Sequence, residues 1–215
     1  MTSLLSHCTA MMVSSSLMVL AYVHVCCGKR NVRKREPYWT RTIQDPRTLT
    51  KTVNNLQKLF AIYSTKRNPL PIFGICMGNL VLGLAAGFPV YKLPFGNRGH
   101  NQPALDLFSG KCIITSQNHG YAIDVKEGNP VTTAGWKPYF MNANDFSNEG
   151  LRHEKYPWQS VQFHPEAKGG PLDSDYLFED FLKEVRSCKL ARSPALVAEL
   201  EKSDALAPAS KTIPI

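Results

Sequence analysis

The 215-residue sequence is 43% hydrophobic and 20% charged, which is typical of a globular chain and excludes a disordered one. Its net charge of +8 comes largely from residues 29–35, five of which are Lys or Arg, and no RNA- or DNA-binding motif accompanies this tract. The six cysteines follow neither metal-ligand spacing nor the dense pattern of a small disulfide-bonded domain. We therefore expect free thiols in a reducing compartment, no metal site and no nucleic-acid partner.

The N-terminal residues 4–27 form an uncharged stretch rich in Ser, Met, Val and Leu. His7, His24 and three consecutive serines interrupt the apolar run, which makes it a poor transmembrane span. The stretch also lacks the features of a secretory signal or a transit peptide. We interpret residues 1–36 as an apolar leader with a basic tract and no recognisable domain, and a signal anchor is the alternative. The expected compartment is the cytoplasm, with the mitochondrion as the alternative.

From residue 37 the pattern indicates an α/β domain that extends to residue 190. Apolar residues spaced by three and four predict a first helix with one apolar face: Leu49, Val53, Leu56, Phe60 and Tyr63. "PIFGI" (71–75) predicts a short buried strand, and Met77 to Ala86 predicts a helix that ends at Gly87.

The second half of the domain is predicted to contain strands separated by turns. Strands are expected at "KCIITS" from residue 111, "KPYFMN" from 137 and "WQSVQF" from 158, with turns at "FGNRGHNQP" and "NANDFSNEG". A last helix is expected to begin near Asp173 or Ser174, with one apolar face: Leu177, Phe178, Phe181, Leu182 and Val185. Residues 191–215, rich in Ala, Pro, Ser and Lys, are interpreted as a linker or tail.

A cysteine stands between two small residues where the predicted strand becomes a helix, in "GICMG" (74–78). Such a junction is the thiol counterpart of a nucleophile elbow, because the sharp turn lifts the side chain above the sheet edge. The start of the following helix favours a thiolate over a thiol. By itself the pattern also fits a buried structural cysteine, so Cys76 is a candidate nucleophile only.

A second motif, "SVQFHPEAKGGP" (160–171), supplies a candidate base for that nucleophile. A strand delivers His164 and then Glu166, with Pro165 stiffening the turn between them. A cysteine nucleophile needs an imidazole base, and the imidazole needs a group that fixes its tautomer. A solvated surface His and Glu is the alternative for this motif taken alone.

Five segments in this order and spacing resemble the glutamine amidotransferase domain of carbamoyl phosphate synthetase, of the class-I Cys-His-Glu type. They are "PIFGICMGNLVLGLAAG", "GNRGHNQP", "TSQNHGYAID", "NANDFSNEG" and "SVQFHPEAKGGPLDSDYLFEDFL". The resemblance covers residues 45–187, and its "HPEAKGGPLD" form is similar to that of fungal small chains. It implies an α/β, flavodoxin-like sheet flanked by helices and incomplete on its N-terminal side.

The resemblance also implies a mechanism and its residues. Cys76 would attack the glutamine side-chain amide, His164 would move the proton and Glu166 would orient His164. Glutamate and ammonia would result, and the ammonia would pass to a large synthetase subunit or a fused synthetase domain. No cofactor is expected in this domain, because ATP and Mg²⁺ are used by the large subunit. The implied substrate-binding residues are Met77 (an oxyanion N–H donor), Asn118, Gly120 and Tyr121, and Leu80 stands where the family has glutamine.

The sequence departs from the family pattern at three places. Asn79 and Leu80 replace the His-Gln pair of G-x-C-x-G-H-Q, and Leu80 cannot hydrogen-bond the substrate. "RTIQDP" (41–46) replaces the family's N-G-P-G-D-P loop, so Thr42 and Gln44 stand where glycines are expected. The N-terminal small-chain domain and the first βα units have no counterpart in residues 1–44. We therefore expect an exposed sheet edge beside "PIFGI" unless the leader or a partner covers it, and a gene fragment is the favoured explanation.

Two functions follow from these observations. The first is a glutaminase domain that supplies ammonia to a carbamoyl phosphate synthetase in arginine or pyrimidine synthesis. The alternative is a catalytically inactive amidotransferase module that docks on an ammonia-dependent synthetase and modulates it. The retained Cys76, His164 and Glu166 favour the first function, whereas Leu80 and the changed loop favour the second.

Overall fold

A computed structural model describes residues 10–14, 17–22, 45–65, 69–167 and 172–192. These residues form a mixed sheet with helices on both faces. The strands are β1 Ala10–Ser14, β2 Leu17–Tyr22, β3 Ile72–Cys76, β4 Val90–Asp106, β5 Cys112–Ile123, β6 Trp136–Asn142, β7 Asn148–His153 and β8 Trp158–Val161. The helices are α1 Thr50–Ser64, α2 Met77–Ala86 and α3 Tyr176–Arg192, and a short 3-10 helix spans Pro46–Thr48.

The strands are ordered β1-β2-β3-β8-β7-β6-β4-β5 across the sheet. Strand β3 pairs in parallel with β2 and β8, and the remaining pairs are antiparallel. All five residues of β3 are buried, which agrees with the uninterrupted apolar run predicted from "PIFGI". Because β3 and β8 run in parallel, the cysteine that ends β3 and the "HPE" segment that follows β8 lie at the same edge of the sheet.

Two apolar clusters fix the helices on the sheet. Alternate residues of β3 point to opposite faces, so Ile72 packs with α1 and α2, whereas Phe73 packs with α3. Leu56 is the buried centre of α1, whose predicted apolar face is confirmed. On the other face, Leu177 and Phe181 of α3 are buried.

The sheet edge beside β3 is covered by the N-terminal stretch. Strand β2 pairs with the whole length of β3, from Met18 opposite Ile72 to Tyr22 opposite Cys76. Strand β1 continues the sheet as an antiparallel partner of β2. The exposed edge expected from the sequence is therefore not observed, because the chain itself supplies the neighbouring strands.

The segment "FGNRGHNQP" is not a turn, as predicted, but part of the long strand β4. It pairs with β5, with register shifts between Lys92 and Asn97 and between Gly99 and Gln102. A Cβ atom at Gly96 would lie 2.6 Å from the carbonyl oxygen of His119, so glycine here permits close approach of the two strands. Tertiary pairing has thus overridden the local turn preference of the Gly- and Asn-rich sequence.

The last helix begins at Tyr176, two to three residues after the predicted start. Asp173 does not cap it, and its carboxylate instead accepts a hydrogen bond from the backbone N–H of Ile114 at 3.1 Å. Leu182 was predicted on the apolar face but is 45% exposed, because the packed face of α3 is narrower than its apolar pattern. Among the described residues, no helix is long and apolar enough to span a bilayer.

Candidate active site

The turn at Cys76 has the strained geometry of a nucleophile elbow. Cys76 ends β3 with φ 53° and ψ −104° and directly precedes α2. A positive φ is unfavourable for a non-glycine residue and is frequent at functional sites. A Cβ atom at Gly74 would lie 2.8 Å from the carbonyl oxygen of Gly78, so only glycine lets the strand and helix approach this closely. The prediction of an elbow at "GICMG" is confirmed.

His164 links the candidate nucleophile to Glu166. Its Nδ1 lies 2.8 Å from Oε1 of Glu166, and the neighbouring thiol of Cys76 raises the pKa of its imidazole. Since a carboxylate can only accept, Nδ1 carries a proton and Nε2 is left to face the sulfur. The structure thus brings together the three side chains that the sequence singled out as catalytic.

The electrostatics of the three residues favour a charged imidazole. Burial by itself lowers the pKa of His164, but the hydrogen bonds to Cys76 and Glu166 outweigh it and raise this pKa to about 10. Burial likewise acts to raise the pKa of Glu166, and the hydrogen bond from His164 overcomes it, so this pKa lies below its usual value.

Met77 and Leu80 lie on the helix that follows the nucleophile. Met77 is the first residue of α2, where backbone N–H groups have no partner within the helix and can bind an anion. Leu80 lies one turn further on, 2% exposed, in the apolar cluster that also contains Met77 and Tyr121. An oxyanion donor at Met77 is therefore sterically reasonable, and Leu80 offers only apolar surface.

Strand β5 carries the other predicted substrate-binding residues. Asn118 is exposed, whereas Gly120 and Tyr121 are buried. The strand is tied to the catalytic residues, because the backbone N–H of His164 donates to the carbonyl oxygen of Ser116 at 2.8 Å. The structure therefore places Ser116, two residues before Asn118 on β5, next to the catalytic segment, and no hydrogen bond of the described residues joins Asn118 to Cys76.

Tyr121 also contacts the segment that replaces the family's glycine loop. Arg47 lies 5.8 Å from the centre of the Tyr121 ring. The hydrogen bond from Arg47 lowers the pKa of Asp45 to about 2, with a smaller contribution from Tyr121. Asp45 and Pro46 thus begin the first helical segment beside the predicted glutamine site. Thr42 and Gln44 lie outside the described residues.

A buried polar network behind β5 supports the substrate-binding strand. His119 contacts the backbone oxygen of Tyr121 through Nδ1 at 3.0 Å and the amide oxygen of Gln117 through Nε2 at 3.0 Å. Its Nε2 also lies 3.4 Å from Oε1 of Glu149, which is fully buried. Both ring nitrogens of His119 therefore lie against oxygen atoms, and Glu149 joins the network from β7. The sequence analysis singled out "QNHGY" for substrate contacts but did not predict the buried contact between His119 and Glu149.

A second buried polar network, which was not predicted from the sequence either, contacts the sulfur of Cys76. The amide of Gln162 lies 3.8 Å from Sγ of Cys76 through Nε2 and accepts a hydrogen bond from Asn79 at 2.8 Å through Oε1. Ser160 completes the network by donating to Oδ1 of Asn79 at 2.8 Å. The signal was available in "SVQFHPE", because two polar residues alternate on one face of a buried strand. Within the described residues, no group of three or more His, Cys, Asp or Glu side chains could hold a metal ion.

A sequence model of class-I glutamine amidotransferases matches residues 44–184. The chain belongs to this family. The family match includes the elbow and the catalytic segment, so the observed sheet with flanking helices is an amidotransferase sheet.

Relatives of this amidotransferase chain include carbamoyl phosphate synthase small chains. It is 56% identical over 146 residues to the arginine-specific small chain of Phaeosphaeria nodorum, which covers 67% of this chain and 29% of the relative. The Schizosaccharomyces pombe arginine-specific small chain is 52% identical over 149 residues, 69% of this chain and 34% of its own length. The multifunctional protein pyr1-3 of Dictyostelium discoideum is 51% identical over 150 residues, 70% of this chain and 6% of that protein. The chain thus spans about a third or less of these curated relatives.

The fold is also similar to that of a solved structure at low sequence identity. A glutamine amidotransferase of Thermotoga maritima aligns with 78% of this chain and 73% of its own, at 17% identity and a TM-score of 0.45.

Proposed function

We propose that this chain is the glutaminase part of a glutamine-hydrolysing carbamoyl phosphate synthase. The observation that carries the proposal is the His164–Glu166 hydrogen bond beside Cys76, which stands at the elbow of a class-I amidotransferase sheet. The similarity to arginine-specific small chains and to a multifunctional protein supports this synthase among the amidotransferases.

The reaction begins with the thiolate of Cys76. It attacks the side-chain amide carbon of glutamine, and an S–C bond forms as the carbonyl oxygen takes the negative charge. The backbone N–H of Met77, at the start of α2, stabilises this oxyanion. His164 then gives its proton to the departing nitrogen, so the C–N bond breaks and ammonia leaves.

The second half of the reaction releases glutamate. His164, now neutral, takes a proton from water, and the resulting hydroxide attacks the thioester carbon. The S–C bond breaks, Cys76 leaves as a thiolate and glutamate dissociates. Glu166 holds Nδ1–H of His164 throughout, so that Nε2 always faces the reacting atoms.

Asn118, Gly120 and Tyr121 would hold the amino-acid end of glutamine. Support comes from the position of β5, which is hydrogen-bonded through Ser116 to the backbone of His164. Leu80 offers no polar group for the substrate amide, and we expect weaker glutamine binding than in relatives that carry glutamine there.

The partner of this proposed glutaminase would be a large synthetase subunit or a fused synthetase domain, which would use ATP and Mg²⁺ to make carbamoyl phosphate from bicarbonate and the released ammonia. The names of the relatives support such an assembly, because they are small chains or a multifunctional protein. The described cysteines Cys76, Cys112 and Cys188 are free thiols, which favours the cytoplasm over an oxidising compartment.

Glutamate release from glutamine by the purified chain tests the proposal. We expect release that is abolished by Cys76→Ala and retained in Cys112→Ala, a matched change at an exposed cysteine. Release should increase when a carbamoyl phosphate synthase large subunit is added. If no glutamate is formed even with that subunit present, the chain is instead an inactive docking module.

A further inference from the structure

The side chain of Gln162 contacts the sulfur of Cys76 from the buried interior of the domain. It is fully buried at the end of β8, and its Nε2 lies 3.8 Å from Sγ of Cys76. An amide nitrogen can only donate, whereas a sulfur atom accepts better as a thiolate than as a thiol. The contact therefore favours the charged form of Cys76.

Two further side chains fix the direction in which the Gln162 amide points. Nδ2 of Asn79 donates to Oε1 of Gln162 at 2.8 Å, which leaves Nε2 of Gln162 to face the sulfur. Asn79 is itself oriented, because Oδ1 accepts from the Ser160 hydroxyl at 2.8 Å. Both Asn79 and Ser160 are fully buried, so water cannot replace these partners.

The backbone anchors the start of this series of donors. The N–H of Leu151 in β7 donates to the Ser160 hydroxyl oxygen at 3.3 Å. If the Asn79 amide were reversed, the Ser160 hydroxyl proton would lose the acceptor that it meets among the described contacts. The donors therefore run in one direction, from Leu151 through Ser160, Asn79 and Gln162 to Cys76.

We propose that Gln162 is a catalytic residue that stabilises the Cys76 thiolate by an N–H···S hydrogen bond, and that Asn79 is the positioning residue that aims its amide. This inference rests on the proposed function, since it assigns Cys76 as the nucleophile. It also gives a role to Asn79, which stands where the family pattern has histidine. Asn79 would orient the Gln162 amide that contacts the nucleophile.

The rate of Cys76 alkylation by iodoacetamide tests the proposal on the full chain. In this reaction the thiolate forms an S–C bond and iodide leaves, so the rate follows the thiolate fraction. The exposed Cys112 is an internal reference, and mass spectrometry gives the ratio of the two rates in one sample. Gln162→Met keeps the length of the side chain and removes the donor.

We expect Gln162→Met to lower the ratio of the Cys76 and Cys112 alkylation rates about tenfold at pH 7. The reason is that a hydrogen bond to a charged group changes the pKa of that group by about one unit or more. The deficit should shrink at pH 9.5, where the thiolate forms without help. Gln159→Met, a matched change on the opposite face of β8, should leave the ratio unchanged. An unchanged ratio in folded Gln162→Met overturns the proposal.

Asn79→Asp provides a second test if Gln162→Met does not fold. Aspartate keeps the shape of asparagine but cannot donate to Oε1, so the Gln162 amide should turn its oxygen towards the sulfur. We expect the ratio to fall at least tenfold at pH 7, and a ratio equal to that of the unmodified chain contradicts the proposal. Because alkylation requires no glutamine, a lowered ratio in a chain that releases no glutamate would reject only the proposed function.

Discussion

His164 and Glu166 are joined by a hydrogen bond of 2.8 Å between Nδ1 and Oε1, although a single proline separates them in the chain. The contact has opposite effects on the two groups: together with the larger effect of Cys76 it raises the pKa of His164 to about 10, and it lowers the pKa of Glu166. The pair is consequently charged on both sides at neutral pH, and its contribution to stability depends on pH in a defined way.

The stabilising effect of Glu166 should be largest between about pH 5 and 6.5. Because the pKa of Glu166 is lowered, its carboxylate stabilises the folded chain at pH values above its ordinary pKa of 4.5. This stabilisation is lost as the pH falls through the lowered pKa. Because the pKa of His164 is raised, its imidazolium stabilises the folded chain at pH values below its ordinary pKa of 6.5. This stabilisation is lost as the pH rises through about 10. The difference in Tm between the unmodified chain and Glu166→Gln should therefore be larger at pH 5.5 than at pH 10.

An exposed ion pair supplies the control for this measurement. Asp180 and Lys183 form a surface contact of 2.8 Å on α3, and such pairs contribute about 0–1 kcal/mol. Asp180→Asn should change Tm little at either pH. A Glu166→Gln difference that is the same at pH 5.5 and pH 10 would contradict the assignment of charge to the His164–Glu166 pair.

Gly74→Ala should disable the elbow. The added Cβ would meet the carbonyl carbon and oxygen of Gly78 at 2.9 and 2.8 Å, and backbone overlap of this kind costs about 1–3 kcal/mol. We expect glutamate release to fall at least tenfold, because the turn that positions Cys76 must move.

Gly110→Ala is the matched control for Gly74→Ala. Gly110 has φ 72° and nothing within 4 Å of an added Cβ, so alanine there introduces about 1–3 kcal/mol of backbone strain without overlap. Both variants should unfold at lower urea concentration, but only Gly74→Ala should lose activity. Equal activity of the two variants would show that the close approach at Gly74 does not matter for catalysis.

Leu80→Gln should strengthen glutamine binding. The family resemblance places a substrate-contacting glutamine at this position, and a regained hydrogen bond is worth about 1 kcal/mol or more. We expect KM for glutamine to fall about five- to tenfold with little change in kcat. Leu80 and Leu82 are both buried in the apolar cluster, so either substitution by glutamine should lower Tm, but only Leu80→Gln should lower KM. A KM that does not fall in Leu80→Gln would indicate that this side chain does not reach the substrate.

Glu149→Leu should strongly destabilise the chain. The carboxylate is fully buried, contacts His119 at 3.4 Å and accepts from Asn142 at 3.2 Å. Leucine removes a buried hydrogen-bond acceptor and leaves the donors around it short of a partner, which costs about 1–3 kcal/mol. Urea unfolding measures the effect, and Glu154→Gln in the exposed pair with Lys137 is the control expected to change stability by less than about 1 kcal/mol. A similar small effect of Glu149→Leu would contradict the buried pair.

Much of the fold near the nucleophile could be predicted because its signals are local. The β3–α2 junction follows from an apolar run, a small-residue turn and a helix that ends at Gly87 in the left-handed conformation. The long strand β4 could not be predicted, because its glycines and asparagines favour turns and only pairing with β5 holds them extended. Strand β2 was missed for a similar reason, since its place depends on the edge of β3.

The sequence by itself predicted the chemistry of the site, because two short motifs and their resemblance to class-I amidotransferases single out Cys76, His164 and Glu166 as nucleophile, base and orienting carboxylate. Only the tertiary structure decided what surrounds them. Gln162 and Asn79 are 83 residues apart in the chain, yet their amides meet at 2.8 Å behind the sulfur. No local pattern encodes such a contact, because it depends on how β8 and α2 pack in the folded chain.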